Sequence, residues 1–189
     1  MSAVTYWPSP QTPPISPDRF GEELDIRALQ AGLRTWCQEK EGTPEYASRL
    51  EAAELIEDCY RSQSTVLSLV GLYLTSIPKE IGVLQSLRSI DLEVNLLTSL
   101  PYEIYNLNRL IFLNLSENRL EFLPEGIHKL ENLKELFLNN NPLTFLPMEI
   151  FWMQDCTIRV TGCPLPPEIL ECYSQESPKD HHSSFSPIR

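Results

Sequence analysis

Apolar residues recur through the middle of the chain every 23 residues, in the order Leu-x-x-Leu-x-Leu-x-x-Asn-x-Leu-x-x-Leu-Pro. Three full copies, one with Ile at the second apolar place, contain Asn95, Asn118 and Asn141. The Leu-x-Leu centre alternates as a short strand does, so its leucines point to one side and the residues between them to the other. A fixed period of this length indicates a solenoid in which each repeat stacks on its neighbours.

Imperfect copies of the motif stand at both ends of this array. The first is in phase but has Leu72 where the full copies have Asn. The last fits when its register shifts back by one residue, and it has Cys163 at the Asn position, a known alternative to Asn in such patterns. We therefore predict about five rungs between residues 64 and 170.

The repeated Asn is predicted to be structural. The chain must turn sharply after each strand, which leaves buried backbone N–H and C=O groups without a regular partner, and such groups are costly. A side-chain amide both donates and accepts, so it can satisfy the turn. We predict a ladder formed by Asn95, Asn118, Asn141 and, on the last rung, Cys163.

Two amphipathic helices are predicted before the repeats. Leu29, Leu33 and Trp36 recur at helical spacing, and Thr43 followed by Pro44 is a typical helix start for a second such stretch. We assign residues 18–63 to an N-terminal cap that covers the open end of the leucine core and the unpaired edge strand. The outer face of this hairpin is an alternative binding surface. The predicted fold is an α/β solenoid, a short curved stack with a parallel concave sheet, capped by an α-helical hairpin.

The two ends of the chain have a different composition. Residues 1–17 hold five prolines among Ser and Thr, and residues 171–189 are mostly polar. Both segments lack the apolar residues needed to offset the entropy of ordering, so we predict disorder. The leader is either passive or an export or docking signal. His181 and His182 lie in the tail, and we predict no metal site there.

Composition narrows the class of partner. A formal net charge of −11 excludes nucleic acid and anionic membranes as main partners and favours a protein with a basic or mixed-charge surface. No run approaches the ~20 apolar residues of a membrane span, and no signal peptide is recognisable. The five scattered cysteines fit reduced thiols in a cytoplasm. No phosphate loop, His-Glu-x-x-His or Gly-x-Ser-x-Gly motif occurs, so we predict neither catalysis nor a cofactor.

The residues between the strand leucines are the candidate binding surface. Phe112 and Phe137 occupy outward positions on adjacent rungs where the fold requires nothing apolar. Aromatic anchors within a polar rim are typical of protein-binding hot spots, although the two rings can also simply pack against each other. We predict a partner-binding site formed by Asp91, Glu93, Phe112, Asn114, Glu117, Glu135, Phe137, Asn139 and Arg159.

These repeats resemble the 23-residue Leu-Pro-x-Glu-Ile class of leucine-rich-repeat proteins. The segments over residues 51–59 and 67–78 resemble the junction of helical cap and first repeat in bacterial type III effectors of the YopM and IpaH type. Those effectors have shorter Leu-Pro-x-Leu-Pro repeats, and the IpaH type adds a large ubiquitin-ligase domain. Only residues 171–189 follow the repeats here, so the resemblance implies no ligase activity.

Together, the residues and the resemblance suggest a protein–protein interaction module. It would act in a cytoplasm, either that of its own cell or, as a secreted virulence effector, that of a host reached by the type III route. Two alternatives remain at this stage. The repeats could select substrates for a ubiquitin-ligase system, or they could form a regulatory subunit that binds a GTPase or a phosphatase.

Overall fold

The computed structural model of the chain describes residues 20–153 and 155–173. The predicted leader over residues 1–17 lies outside the described residues, as do His181 and His182.

Five short strands form one parallel sheet in the order of the chain. They are β1 (Val66–Ser68), β2 (Ser89–Asp91), β3 (Phe112–Asn114), β4 (Glu135–Phe137) and β5 (Thr157–Arg159). Leu67, Ile90 and Leu113 are register partners in successive strands, as the 23-residue spacing predicts. In the last pair Leu136 lies beside Ile158, so the fifth rung has the expected one-residue slip. The predicted α/β solenoid of five rungs is therefore confirmed.

The chain returns from one strand to the next through short 3-10 segments on the side opposite the sheet. In the described part of the chain these are Lys79–Val83, Tyr102–Asn106, Ile127–Lys129 and Met148–Trp152. A 3-10 segment is narrow and short, so it fits between two closely stacked rungs. Each segment turns one isoleucine into the core, and these residues are Ile81, Ile104, Ile127 and Ile150, all exposed by 1% or less.

Helices cover both ends of the described stack. Helices α1 (Phe20–Gln38) and α2 (Glu45–Ser62) pack together, and α2 also contacts β1. The buried side chains of Leu29, Leu33 and Trp36 extend the leucine core into this hairpin. At the other end, α3 (Pro167–Tyr173) places Ile169 and Leu170 partly against the same core. Each fully buried Leu or Ile stabilises the fold by roughly 1.5–3 kcal/mol, and no single rung could bury these residues alone.

Two predicted boundaries change in the structure. Thr43 does not cap α2, because its hydroxyl donates to the Lys40 carbonyl (2.7 Å) and closes the turn after α1. Helix α3 continues to Tyr173, three residues into the segment predicted as a tail from residue 171. Tyr173 lies partly against the core and 6.1 Å from the ring of Phe151, so an apolar contact extends the ordered unit.

A buried cation joins the hairpin to the first rung, a feature that the apolar pattern did not reveal. Arg49 of α2 is only 1% exposed. Its guanidinium donates to the carboxylates of Glu45 and Glu39 (both 3.0 Å), to Ser76 Oγ (2.8 Å) and to the Trp36 carbonyl. It also lies 4.6 Å from the centre of the Trp36 ring. The charged side chain of Arg49 thereby links α2 to the first rung.

Glu45 completes this junction from the other side. Its carboxylate accepts from the Thr75 backbone N–H (3.0 Å) and the Thr75 hydroxyl (2.8 Å) and pairs with Lys40 (3.3 Å). Burial alone would raise the pKa of Glu45, but the hydrogen bonds from Thr75 and Arg49 outweigh it and lower the pKa from 4.5 to about 2. We call Trp36, Glu39, Glu45, Arg49, Thr75 and Ser76 the cap clasp.

Candidate functional site

The outward side chains of the five strands form the concave face, arranged in columns by the strand register. One column contains Val66, Ser89, Phe112, Glu135 and Thr157, and the next contains Ser68, Asp91, Asn114, Phe137 and Arg159. Because parallel strands lie about 4.8 Å apart, neighbours within a column are close enough to act on one partner. Phe112 and Phe137 therefore stand in different columns on adjacent rungs.

The two phenylalanines contact each other. Their ring centres are 5.3 Å apart with an interplanar angle of 79°, an edge-to-face arrangement that contributes about 0.5–1.5 kcal/mol beyond burial. Both side chains remain half-buried, so the contact does not remove them from the surface. The guanidinium carbon of Arg159 lies 4.9 Å from the Phe137 ring centre. Phe112 and Phe137 are called the aromatic pair below.

Four carboxylates stand on the two rungs of the aromatic pair and on the rung before them. Asp91 accepts a hydrogen bond from the Glu93 backbone N–H (3.1 Å), and Glu93 accepts one from the Asn114 amide (3.3 Å). Glu117 and Glu135 are exposed to solvent. Among the ion pairs of the described residues, none involves these four carboxylates. This face therefore presents negative charge that neighbouring lysines or arginines do not neutralise.

Two of the predicted partner-binding residues have their polar groups occupied within the protein. Asn114 is only 6% exposed, and besides donating to Glu93 it accepts from the Ser116 backbone N–H (3.1 Å). Asn139 donates to Ser116 Oγ (3.3 Å) and accepts from the Thr161 backbone N–H (3.0 Å). In this geometry the two amides position their neighbours. Glu117, Glu135 and Arg159 are exposed, and Asp91, Glu93 and the aromatic pair are half-buried at the surface.

The repeated asparagines lie behind the concave face and bridge adjacent rungs. Asn118 donates to the carbonyls of Leu92 (2.9 Å) and Leu115 (3.1 Å) and accepts from the Leu97 backbone N–H (3.0 Å). Asn95 and Asn141 make the equivalent bonds one rung before and after. Cys163 donates only to the Leu138 carbonyl, at 3.2 Å. Each of these side chains bonds to a carbonyl of the preceding rung. The first rung has no preceding rung to bond to, so it can have Leu72 in place of Asn.

The residue before each of these positions has a left-handed backbone. Val94, Glu117 and Asn140 have φ of 55–56°, and the corresponding positions of the end rungs are Gly71 and Gly162. A non-glycine residue costs roughly 1–2 kcal/mol in this conformation. Glu117 therefore leaves the stack from a sharp turn, and its exposed carboxylate lies at the edge of the concave face.

Comparison with known proteins identifies these repeats. Residues 85–143 match the family model described as Leucine rich repeat. The structure of a leucine-rich-repeat protein from Leptospira interrogans is 32% identical, with a TM-score of 0.55, over 69% of this chain and 31% of that chain. The chain belongs to the leucine-rich-repeat family.

Two further solved structures share the fold. A leucine-rich-repeat domain of a Shigella effector is 23% identical with a TM-score of 0.58, over 71% of this chain and 55% of that chain. YopM, a leucine-rich effector protein from Yersinia pestis, is 24% identical with a TM-score of 0.53, over 71% of this chain and 40% of that chain. The chain thus spans between about a third and about half of the length of these similar structures. The comparison with curated proteins gave no match.

Outside its concave face, this leucine-rich-repeat protein exposes aromatic residues that the strand positions did not predict. Phe122 and Phe145 are 44% and 55% exposed and lie between their strands and the following 3-10 segments. Met148 and Trp152, in the last 3-10 segment, are 72% and 67% exposed. The sequence does indicate this surface, because Phe122 and Phe145 hold the same position in the repeat and the earlier rungs have serine there. This flank is a competing surface for a partner.

Burial holds four cysteine thiols of the leucine-rich-repeat protein in their neutral form. Desolvation raises the pKa of the Cys37, Cys59 and Cys163 thiols, and it raises that of Cys156 to about 12, with Glu135 adding to the effect and Lys134 opposing it. Within the described residues, no three His, Cys, Asp or Glu side chains are grouped so that they could hold a metal ion. None of the helices described is long and apolar enough to cross a bilayer.

Proposed function

We propose that this chain is a protein-interaction module that binds a partner protein through its concave face. The aromatic pair is the observation that carries the proposal. A leucine-rich stack needs apolar side chains at its inward positions only, and the aromatic pair lies at outward ones. Keeping two aromatic rings half-exposed costs solvation energy that the fold alone does not require, whereas a bound partner would recover it.

The partner that fits this face has a basic or mixed-charge surface with an apolar centre. Asp91, Glu93, Glu117 and Glu135 supply negative charge around the aromatic pair, and like-signed partners would be repelled. Aromatic anchors of this kind typically contribute about 2 kcal/mol or more each when a partner buries them. The carboxylates are expected to speed association and set specificity, and the rings to supply most of the affinity.

We also propose that the chain acts as a bacterial effector in a host cytoplasm. The support is its fold likeness to the Shigella effector domain and to YopM, together with the cap-to-repeat junction noted in the sequence. Acting inside a host would require delivery by a route that needs no conventional signal peptide, such as type III secretion.

Affinity capture from host-cell lysate tests the binding proposal. The wild type is compared with Phe112→Ala/Phe137→Ala and with a matched control, Phe122→Ser/Phe145→Ser, which removes two exposed phenylalanines from the flank instead. We expect the concave-face variant to lose its partner and the flank variant to retain it. Circular dichroism melts of all three proteins check that the half-buried pair is removed without unfolding.

The opposite pattern, with capture lost in the flank variant and kept in the concave-face variant, would move the site to the flank and overturn the proposal. Delivery is tested separately, with a reporter fused to the C-terminus of the full chain. We expect the reporter to enter host cells from bacteria with a working type III apparatus and to remain in bacteria lacking it. Reporter retained by both strains would contradict the effector role but not the binding site.

A further inference from the structure

We infer that the concave face takes an extended peptide segment carrying a basic and an acidic side chain on either side of an apolar residue. This inference rests on the proposed function and specifies its partner. It comes from the order of charges along the sheet, which changes sign between the second and the fifth rung. The segment would run across the strands, along the axis of the stack.

The register sets the order of side chains that such a segment would meet. Asp91, Asn114, Phe137 and Arg159 are direct neighbours in four consecutive strands. Asn114 is buried, so the accessible sequence in this column is a carboxylate, an aromatic ring and a guanidinium. Phe112 widens the aromatic centre from the adjacent column. This column therefore has an acidic end, an apolar middle and a basic end.

The two ends have charges available to a ligand. On the second rung, Asp91 and Glu93 place two carboxylates side by side, and neither pairs with a lysine or arginine among the described residues. On the fifth rung, Arg159 is exposed and lies against the face of Phe137, without an ion pair to any carboxylate that the structure describes. A guanidinium in that position can receive a carboxylate with two parallel hydrogen bonds.

The distance between the ends fixes the length of the segment. Three strand steps of about 4.8 Å separate Asp91 from Arg159, which gives about 14 Å along the sheet. An extended chain advances about 3.4 Å per residue, so the basic and acidic residues should be about four positions apart. Glu135 lies in the other column, beside Thr157, so the ligand carboxylate is expected on the side of Arg159 that faces away from Glu135.

Selection from a random decapeptide library displayed on phage tests this inference. The targets are the wild type, Arg159→Glu, Asp91→Lys/Glu93→Lys and Phe112→Ala/Phe137→Ala, with Lys79→Glu on the opposite side of the stack as the charge-matched control for Arg159→Glu. We expect wild-type peptides to combine a basic and an acidic residue about four positions apart with an apolar residue between them. Their affinity should fall about tenfold for Arg159→Glu and for the acidic-end variant and stay unchanged for Lys79→Glu.

The selected sequences should also change with the target. Arg159→Glu is expected to lose the preference for an acidic residue and keep that for the basic one, and Asp91→Lys/Glu93→Lys should do the reverse. Peptides that need the aromatic pair but show no paired charges would overturn this inference and leave the proposed function standing. Peptides that bind Phe112→Ala/Phe137→Ala as well as the wild type would overturn both, as would the absence of any peptide selected by the wild type.

Discussion

The interior rungs and the cap clasp both supply hydrogen-bond partners to buried backbone groups, but they use different side chains. In both places polar backbone groups are buried where no regular strand or helix bond reaches them. The interior rungs use a neutral amide, and Asn118 alone bridges two rungs with one accepted and three donated hydrogen bonds. In the cap clasp these bonds are made by charged side chains. Arg49, which is 1% exposed, donates to the Trp36 carbonyl, and Glu45 accepts from the Thr75 backbone N–H.

The difference follows from how often each geometry occurs. Every interior rung has a neighbour of the same shape, so one residue type repeated at one spacing satisfies all of the turns. The junction between a helix pair and a strand stack occurs once, and side chains as far apart as Arg49 and Ser76 meet there. We expect removal of a charged side chain from the cap clasp to cost more stability than removal of an interior asparagine, because an unpaired buried charge is penalised more than an unpaired amide.

The largest effect is expected at Arg49. Arg49→Met removes the donor to the Trp36 carbonyl and one partner of the largely buried Glu45, which is left with Thr75 and Lys40. Breaking a buried ion pair on one side typically costs about 3–5 kcal/mol, a large part of the stability of a small domain. Urea unfolding monitored by Trp fluorescence measures the loss.

Lys134→Met is the control, since Lys134 pairs with Asp155 at 3.8 Å and the two side chains are 53% and 91% exposed. Its loss should cost less than about 1 kcal/mol. The double variant Arg49→Met/Glu45→Gln should lose less stability than the sum of the two single losses, because Arg49 and Glu45 contact each other. Equal losses at Arg49 and Lys134 would remove the contrast between the cap clasp and an ordinary surface pair.

The next effect is the dependence of stability on pH at Glu45. Its pKa is lowered from 4.5 to about 2 in the folded state, so the unfolded state binds the proton more readily. The stabilisation is therefore present above about pH 4.5 and is lost as the pH falls towards 2, with an upper size of roughly 3 kcal/mol. Glu45→Gln should be less stable than the wild type at pH 7, and the gap should narrow below pH 4. A gap that is independent of pH would contradict the role of the charge.

A smaller effect is expected in the interior. Asn118→Ala leaves the buried Leu97 N–H without its partner and removes one of the two amide donors from each of the Leu92 and Leu115 carbonyls, at a cost of about 1–3 kcal/mol. Asn106→Ala, at the exposed end of a 3-10 segment, is the control and should change stability by less than about 0.5 kcal/mol. Thermal melts compare the two, and an unchanged melting temperature for Asn118→Ala would refute the ladder.

The smallest effect should be a gain. Val94 is a β-branched residue with φ 56°, and Gly71 and Gly162 show what the end rungs use at this position. Val94→Gly should stabilise the fold by about 0.5–1 kcal/mol, as relief of the strained backbone exceeds the entropy cost of glycine. Val70→Gly, one residue before the turn of the first rung, has no such strain to relieve and should lower the melting temperature. If both variants lose stability, the left-handed turn is not a source of strain.

The candidate site was harder to infer than the fold. The two outward phenylalanines are identifiable from their positions in the repeat, and so are the carboxylates near them. The edge-to-face geometry of the two rings, the burial of Asn114 and the stacking of Arg159 are not, because each depends on rotamers and on the diagonal relation between strands. The flank phenylalanines lie outside the strand positions that predict the concave face, although Phe122 and Phe145 hold equivalent places in the repeat.

The 23-residue period is sufficient to specify the sheet, its register and the part of the core between the rungs, since each rung repeats the same local interactions with its neighbours. Even the slip at Ile158 and the replacement of Asn by Cys163 can be seen as breaks in that period. Arg49 is different, because no spacing distinguishes it from any other polar residue on α2. It is buried only because folding brings Trp36, Glu45 and Ser76 around it. Periodic contacts are encoded locally, whereas contacts made once, between distant segments, appear only when the chain has folded.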